Sequence, residues 1–261
     1  MRNLKFLLLV LVAGMCFQTV NAQLIDEQDV TITMELQPVL QLDMKTPNQL
    51  EFVFDEIEEY FRGITQYAAT ELKVSSSVSW DLYAVGRSNG TNCAECWDQQ
   101  LVYGSGGVTS GAEADLPMSL VELRQNRANA GAAAATGPFA DYNQAFSPAA
   151  TASGGNSLYV NGGTNTPPTA TGKYIAGHSG TSGTAGSDAM VGGSWMTQTG
   201  TASDYYYTVD YRILPGLPAI FPMAFNEDGA TSEDLSTISA TSYAQPGVYT
   251  MYVQYVLLED Q

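Results

Sequence analysis

Positive charge is scarce in this sequence: 10 Lys and Arg stand against 27 Asp and Glu, with a single histidine, His178. A field of that sign repels phosphate backbones and anionic headgroups, so nucleic-acid binding and adsorption to an acidic membrane surface are both disfavoured. Cysteine is scarce too, at three residues. Four-coordinate zinc therefore lacks its usual donors, because one distant histidine cannot complete a Cys93/Cys96 half-site. Amphipathic helical segments are missing between the apolar stretches, which argues against a helix-connected parallel sheet. After residue 22 no apolar run is long enough to cross a bilayer as a helix.

What is present begins with a leader. Arg2 and Lys5 precede the apolar run from Phe6 to Ala13, and Val20-Asn21-Ala22 places small residues before a cut. This order is that of a removable signal peptide over residues 1–22. Gln18 and Asn21 interrupt the run too early for a membrane span. Lipid attachment at Cys16 is a weaker reading, because Met15 stands where a small residue is wanted. Cleavage removes two basic residues and no acidic ones, moving the formal net charge from −17 to −19. The mature chain, residues 23–261, is expected outside the cytoplasm: secreted, periplasmic or at the cell surface, and not transmembrane.

Export suits the remaining cysteines, an even pair in a compartment where disulfides persist. The spacing Cys93-Ala94-Glu95-Cys96 is open to a redox pair, half a metal site or a local structural bridge. It follows Ser88-Asn89-Gly90-Thr91-Asn92, a turn-forming stretch rather than a strand feeding a helix. A local disulfide pinning a loop is the expectation.

Strand patterning is clearest where apolar residues recur at every second position. Val30, Ile32, Met34 and Leu36 do so before Pro38, and Val78, Trp80, Leu82 and Ala84 do so again. Tyr205, Tyr207, Val209, Tyr211 and Ile213 form a third such face, and Tyr249, Met251, Val253, Tyr255 and Leu257 a fourth, entered through Pro246-Gly247. Leu50 to Phe54 and Met118 to Leu123 are shorter candidates. One or two helical turns are expected near Ile57, Tyr60 and Phe61, ended by Gly63. Short strands separated by Gly, Pro and Asn turns indicate an all-β chain, an antiparallel β-sandwich of immunoglobulin-like or jelly-roll-like type. Residues 126–200 are a different material, rich in Ala, Gly, Ser and Thr. They read as a long, partly ordered insertion in a single domain, tethered by Phe139, Tyr142, Phe146, Tyr159, Tyr174 and Trp195. Such an insertion carries function or serves as a spacer, and composition does not choose.

Catalytic motifs fail on inspection. Gly177-His178-Ser179-Gly180 resembles a nucleophile elbow, but that motif wants Gly two places after the serine, where Thr181 stands. His178 adjoins the serine in sequence and is poorly placed to act as its base. Carboxylates cluster at Asp55, Glu56, Glu58 and Glu59, and at Glu227, Asp228, Glu233 and Asp234, where solvated turns are the ordinary meaning. The stretch Asn226-Glu227-Asp228-Gly229 offers calcium-type oxygens, making Asn226 and Asp228 the candidate ligands, although carboxylates are absent from the ends of any EF-hand loop drawn through Gly229. No other cofactor and no catalytic residue is expected. Among exposed aromatics, Tyr206 is the candidate ligand contact, since a tyrosine stacks on sugar rings while its hydroxyl stays wet.

Two stretches carry a family resemblance. The segment Glu71-Leu72-Lys73-Val74-Ser75-Ser76, followed by Ser79-Trp80-Asp81-Leu82, resembles bacterial surface β-sandwich proteins, and its Trp80-Asp81-Leu82 triplet is similar to the signature of WxL-domain cell-surface proteins. Pro246-Gly247-Val248-Tyr249, leading into the terminal strand, resembles closing strands of fimbrial and related exported sandwiches. Trp195-Met196-Thr197 lacks the Leu of a repeated WxL signature. The resemblance implies envelope attachment, adhesion or assembly into a surface layer or fibre. A structural or adhesive protein pairing with itself or other surface proteins through its terminal strands is therefore expected, with an extracellular carbohydrate-binding module as the alternative.

Overall fold

The computed structural model describes residues 28, 30–104, 112–127, 142, 144–147, 156–164, 166–168, 173–176, 205–214 and 243–259. Residues 1–22 with Cys16, the stretch holding His178 and Ser179, and the calcium candidates Asn226 and Asp228 lie outside the described residues. The chain divides into two units, Met1–Gln37 and Pro38–Gln261.

In the first unit the expected half-buried strand does not form. Residues 30–37 belong to no strand, and Val30, Ile32, Met34 and Leu36 are 84%, 87%, 77% and 84% exposed. Alternation gives a segment the side-chain pattern of a strand, but a strand also needs a neighbour for its backbone N–H and C=O groups. Among the described residues these have no such neighbour.

The second unit is all-β and sandwich-like. In chain order its strands are β1 (Leu40–Met44), β2 (Ile64–Ser76), β3 (Trp80–Arg87), β4 (Asp98–Val102), β5 (Ala112–Glu113), β6 (Val121–Arg127), β7 (Tyr174–Ala176), β8 (Tyr206–Ile213), β9 (Tyr243–Ala244), β10 (Gly247–Thr250) and β11 (Tyr252–Glu259). One antiparallel sheet has the order β1-β2-β8-β6, and another the order β11-β3-β7. β10 pairs with β4, and the short β5–β9 pair is parallel. A six-residue helix, α1 (Ile57–Arg62), carries a reciprocal Glu56–Glu59 capping box and ends at Gly63, whose φ of 68° suits glycine. Leu50 to Phe54, the shorter strand candidate, forms no strand; Phe52 and Phe54 pack on the core without a ladder.

Between the two sheets lie Leu72 and Val74 of β2, Trp80, Leu82 and Ala84 of β3, Leu123 of β6, and Tyr207 and Val209 of β8. Trp80 meets Tyr205 edge-on at 5.0 Å, the favoured geometry for two ring quadrupoles. Each buried Leu or Val of this set contributes about 1.5–3 kcal/mol relative to exposure.

β8 is buried more thoroughly than its alternation implies. Its apolar face is in the core as expected, but Asp210 and Arg212, on the side expected to be wet, are buried as well. Their cover comes from polar partners and from the Ala- and Gly-rich middle. Arg212 Nε donates to Glu122 Oε2 at 2.6 Å and Nη1 donates to the Ser147 carbonyl, also at 2.6 Å, while the Phe146 ring lies under the guanidinium. Residues 156–158 hydrogen-bond along β6, from Leu123 N to the Asn156 carbonyl and from Leu158 N to the Val121 carbonyl. Tyr142, Tyr159 and Tyr174, three of the expected tethers, are buried.

β2 contains a bulge where its pairing with β8 jumps from Gln66↔Tyr211 to Thr70↔Val209. Ala68 sits in the bulge with φ of 49°, in the left-handed region. Its N–H donates to Asp210 Oδ1 at 2.7 Å, which holds the conformation. A Cβ in that region costs about 1–2 kcal/mol, partly offset by the lower entropy of the unfolded alanine chain. Ala68→Gly is expected to raise stability by about 0.5–1 kcal/mol. Denaturant titration checks it, with an unchanged or lower midpoint as the contrary result.

Candidate functional site

The sandwich has one side on which two sheet edges meet. β1 ends one sheet and β11 ends the other, and among the described residues neither has a partner on its outer edge. The two strands approach within 8 Å, Cα to Cα, without belonging to a common sheet. Leu40 and Leu42 of β1, with Val253, Tyr255 and Leu257 of β11, pack against the core yet remain only half-buried. The opposite flank differs, because residues 156–158 hydrogen-bond to the free side of β6, and β7 pairs with β3.

β11 is held firmly despite its edge position. It pairs with β3 over its eight-residue length, from Tyr252↔Arg87 to Glu259↔Trp80. Its Tyr255 hydroxyl meets that of Tyr211, which also bonds Thr70 Oγ1 at 2.8 Å. Burial pushes both phenols above the usual tyrosine range, so both stay neutral across physiological pH. This hydroxyl chain ties the last strand to β8 and β2.

The Cys93–Cys96 pair lies on the turn before β4, with the sulfurs at bonding distance and the Cα atoms 5.0 Å apart. It opens no helix. The preceding residues are organised by Asp98, a buried carboxylate that accepts from the backbone N–H groups of Asn89 and Thr91. Burial opposes its charge, but these backbone donors prevail and hold the carboxyl below its ordinary range. Its contribution to the loop is thus present above the ordinary carboxylate pKa and is lost as pH falls through the lowered value. Asp98→Ala is expected to speed amide exchange at Asn89 and Thr91 near neutral pH and to leave much smaller differences in strong acid. Equal exchange in the two proteins at neutral pH contradicts this.

Tyr206 is half-buried at the start of β8, opposite Lys73 of β2. Lys73 Nζ sits 5.0 Å from its ring centroid. A hydrogen bond with Glu71, then burial, then the Glu71 charge push the phenol up to about 12. Among the described residues no three His, Cys, Asp or Glu side chains converge as metal ligands, and no helix is long and apolar enough to cross a membrane. A further apolar group is exposed around β4 and β10, comprising Leu101, Val102, Tyr103, Val248 and Tyr252.

The free edges and the buried Asp210 and Arg212 were not evident from sequence. Thr208, Asp210 and Arg212 alternate with apolar residues and so look like an ordinary wet face; the tertiary partners that bury Asp210 and Arg212 come from far along the chain. No protein-family model matches the chain, and no curated protein matches it.

Proposed function

We propose that this protein is an exported structural or adhesive surface subunit that joins copies of itself, or related envelope proteins, by strand addition. The residues 30–36 supply the added strand. One observation carries the reading: Val30, Ile32, Met34 and Leu36 alternate in a segment outside any ladder, each more than three-quarters exposed. Isolated exposed apolar residues are normal on a protein surface, whereas four at strand spacing provide one complete apolar face for a sheet.

Magnitudes favour association only when backbone and side chains act together. Burying four such side chains gains about 6–12 kcal/mol at roughly 1.5–3 each, while ordering the segment's backbone costs a similar amount. Ladder hydrogen bonds, worth about 0.5–1.5 kcal/mol apiece, then tip the balance. The mature charge of −19 opposes contact between copies, so salt that screens it strengthens assembly. The leader pattern and the bridged cysteine pair support the extracytoplasmic setting. The glycan-binding alternative draws on Tyr206, whose hydroxyl is engaged by Glu71 and whose ring is approached by Lys73. No residue is assigned a catalytic role.

Sedimentation of the mature protein over a dilution series, at low and physiological salt, tests the reading. Mass is expected to grow with concentration, and more steeply in salt. A compact monomer at every concentration and salt level overturns it.

A further inference from the structure

We propose that the acceptor for residues 30–36 is the seam between β1 and β11 of a second copy, where the added strand pairs with the outer edge of β11. The assignment rests on the strand-addition reading and specifies its partner surface. Four observations converge on it. β11 is an edge strand whose eight residues are long enough to pair with the whole seven-residue donor segment. Its inward side chains Val253, Tyr255 and Leu257, together with Leu40 and Leu42 across the seam, touch the core but stay half-buried. Such a row is what a further strand would finish covering, because side chains of neighbouring strands at alternate positions share one face.

The alternatives fit less well. The outer edge of β6 is occupied by residues 156–158. β4 and β10 form a separate two-stranded ribbon of five and four residues, too short for the full apolar row. β7 is three residues long. In the seam, Val30, Ile32, Met34 and Leu36 would turn inward between the two sheets, leaving Thr31, Thr33 and Glu35 on the opposite face, where Val256 and Leu258 of β11 are half-buried against Tyr83, Val85, Tyr159 and Tyr174. The rigid attachment of β11 to β3 and, through Tyr255, to Tyr211 presents a preformed edge, which lowers the ordering cost on the acceptor side.

The test uses the mature full chain with a photo-reactive residue in the donor, Ile32→p-benzoylphenylalanine. A second protein carries the probe on the polar side, Thr33→p-benzoylphenylalanine, leaving the apolar row intact. Each is mixed with isotope-labelled wild type, so that adducts between copies are recognised by mass, and is irradiated under assembling conditions. Inter-copy adducts are expected on residues 252–259 or 40–44, and they should be lost on dilution to monomer. Inter-copy adducts confined to residues 98–102, 247–250 or another surface overturn the seam but leave strand addition standing. Assembly without inter-copy adducts from either probe overturns the seam and removes residues 30–36 as donor. Wild-type protein that does not assemble at all overturns both proposals.

Discussion

Mature protein carrying Ile32→Asp and Met34→Asp is expected to fold normally and to lose self-association by more than a thousandfold. Both side chains are exposed, at 87% and 77%, so the substitutions remove little packing. Changes at solvated sites ordinarily alter stability by less than about 0.5 kcal/mol. In the assembled state each substitution forfeits about 1.5–3 kcal/mol of apolar burial and adds the cost of bringing a carboxylate into an apolar slot. A total of about 5 kcal/mol or more corresponds to over three decades in dissociation constant. Thr31→Asp with Thr33→Asp adds the same charge on the polar side and is expected to weaken association far less. The contrast separates apolar insertion from charge repulsion. The Ile32/Met34 variant keeps its acceptor edge, so small amounts mixed into wild type are expected to cap growth and shorten assemblies. Light scattering reads both effects, and a double variant that assembles like wild type contradicts them.

Asp210→Ala is expected to cost the fold about 1–3 kcal/mol. Asp210 is buried in the middle of β8 and serves three groups. Its Oδ1 accepts from Ala68 N at 2.7 Å, and its Oδ2 accepts from Asn126 Nδ2 at 2.6 Å with Arg124 Nη1 at 3.9 Å. Alanine removes every acceptor at once, leaving the bulge N–H and the Asn126 amide without a protein partner and Arg124 without its nearby charge; because these donors are only partly shielded from water, the loss is less than that of a fully buried unsatisfied group. Asp210→Asn keeps the shape and one acceptor oxygen, so a smaller loss is expected. Denaturant unfolding monitored by tryptophan fluorescence measures both. A loss under about 1 kcal/mol for the alanine variant would show that the network does not hold the bulge.

Much of the fold was legible because period-2 patterning survives where a strand is straight. Trp80, Leu82 and Ala84 mark β3, Tyr207, Val209, Tyr211 and Ile213 mark β8, and Tyr249 through Leu257 run through β10 and β11. The longest strand, β2 with its 13 residues, was not read from periodicity, because the bulge at Ala68 inserts extra residues and breaks the phase. β1 was hidden behind Pro38, which marks a boundary but does not prevent a strand two residues later. The segment holding Val30 and Leu36 failed for the opposite reason: its pattern is regular, but among the described residues it has no ladder neighbour. Pattern reports which side chains can share a face, whereas ladder partners are set by topology.

The proposed site was legible in the same divided way. The donor pattern and the Cys93–Cys96 pairing are local features, readable from spacing. The open seam depends on which strands finish at sheet edges, and the cover of Asp210 and Arg212 depends on Arg124, Asn126, Phe146 and Ser147, all distant from β8 in sequence. These are long-range facts that no local window contains.

Amide hydrogen exchange at residues 30–37 of the wild-type mature protein tests the central claim most directly, comparing dilute protein with protein concentrated under screening salt. Fast exchange in the dilute sample and strong protection in the assembled one is the expected result, because an added strand acquires ladder hydrogen bonds it lacks alone. Assembled protein whose residues 30–37 exchange as freely as in the dilute sample contradicts strand addition by this segment, and protein that stays monomeric throughout contradicts self-assembly itself.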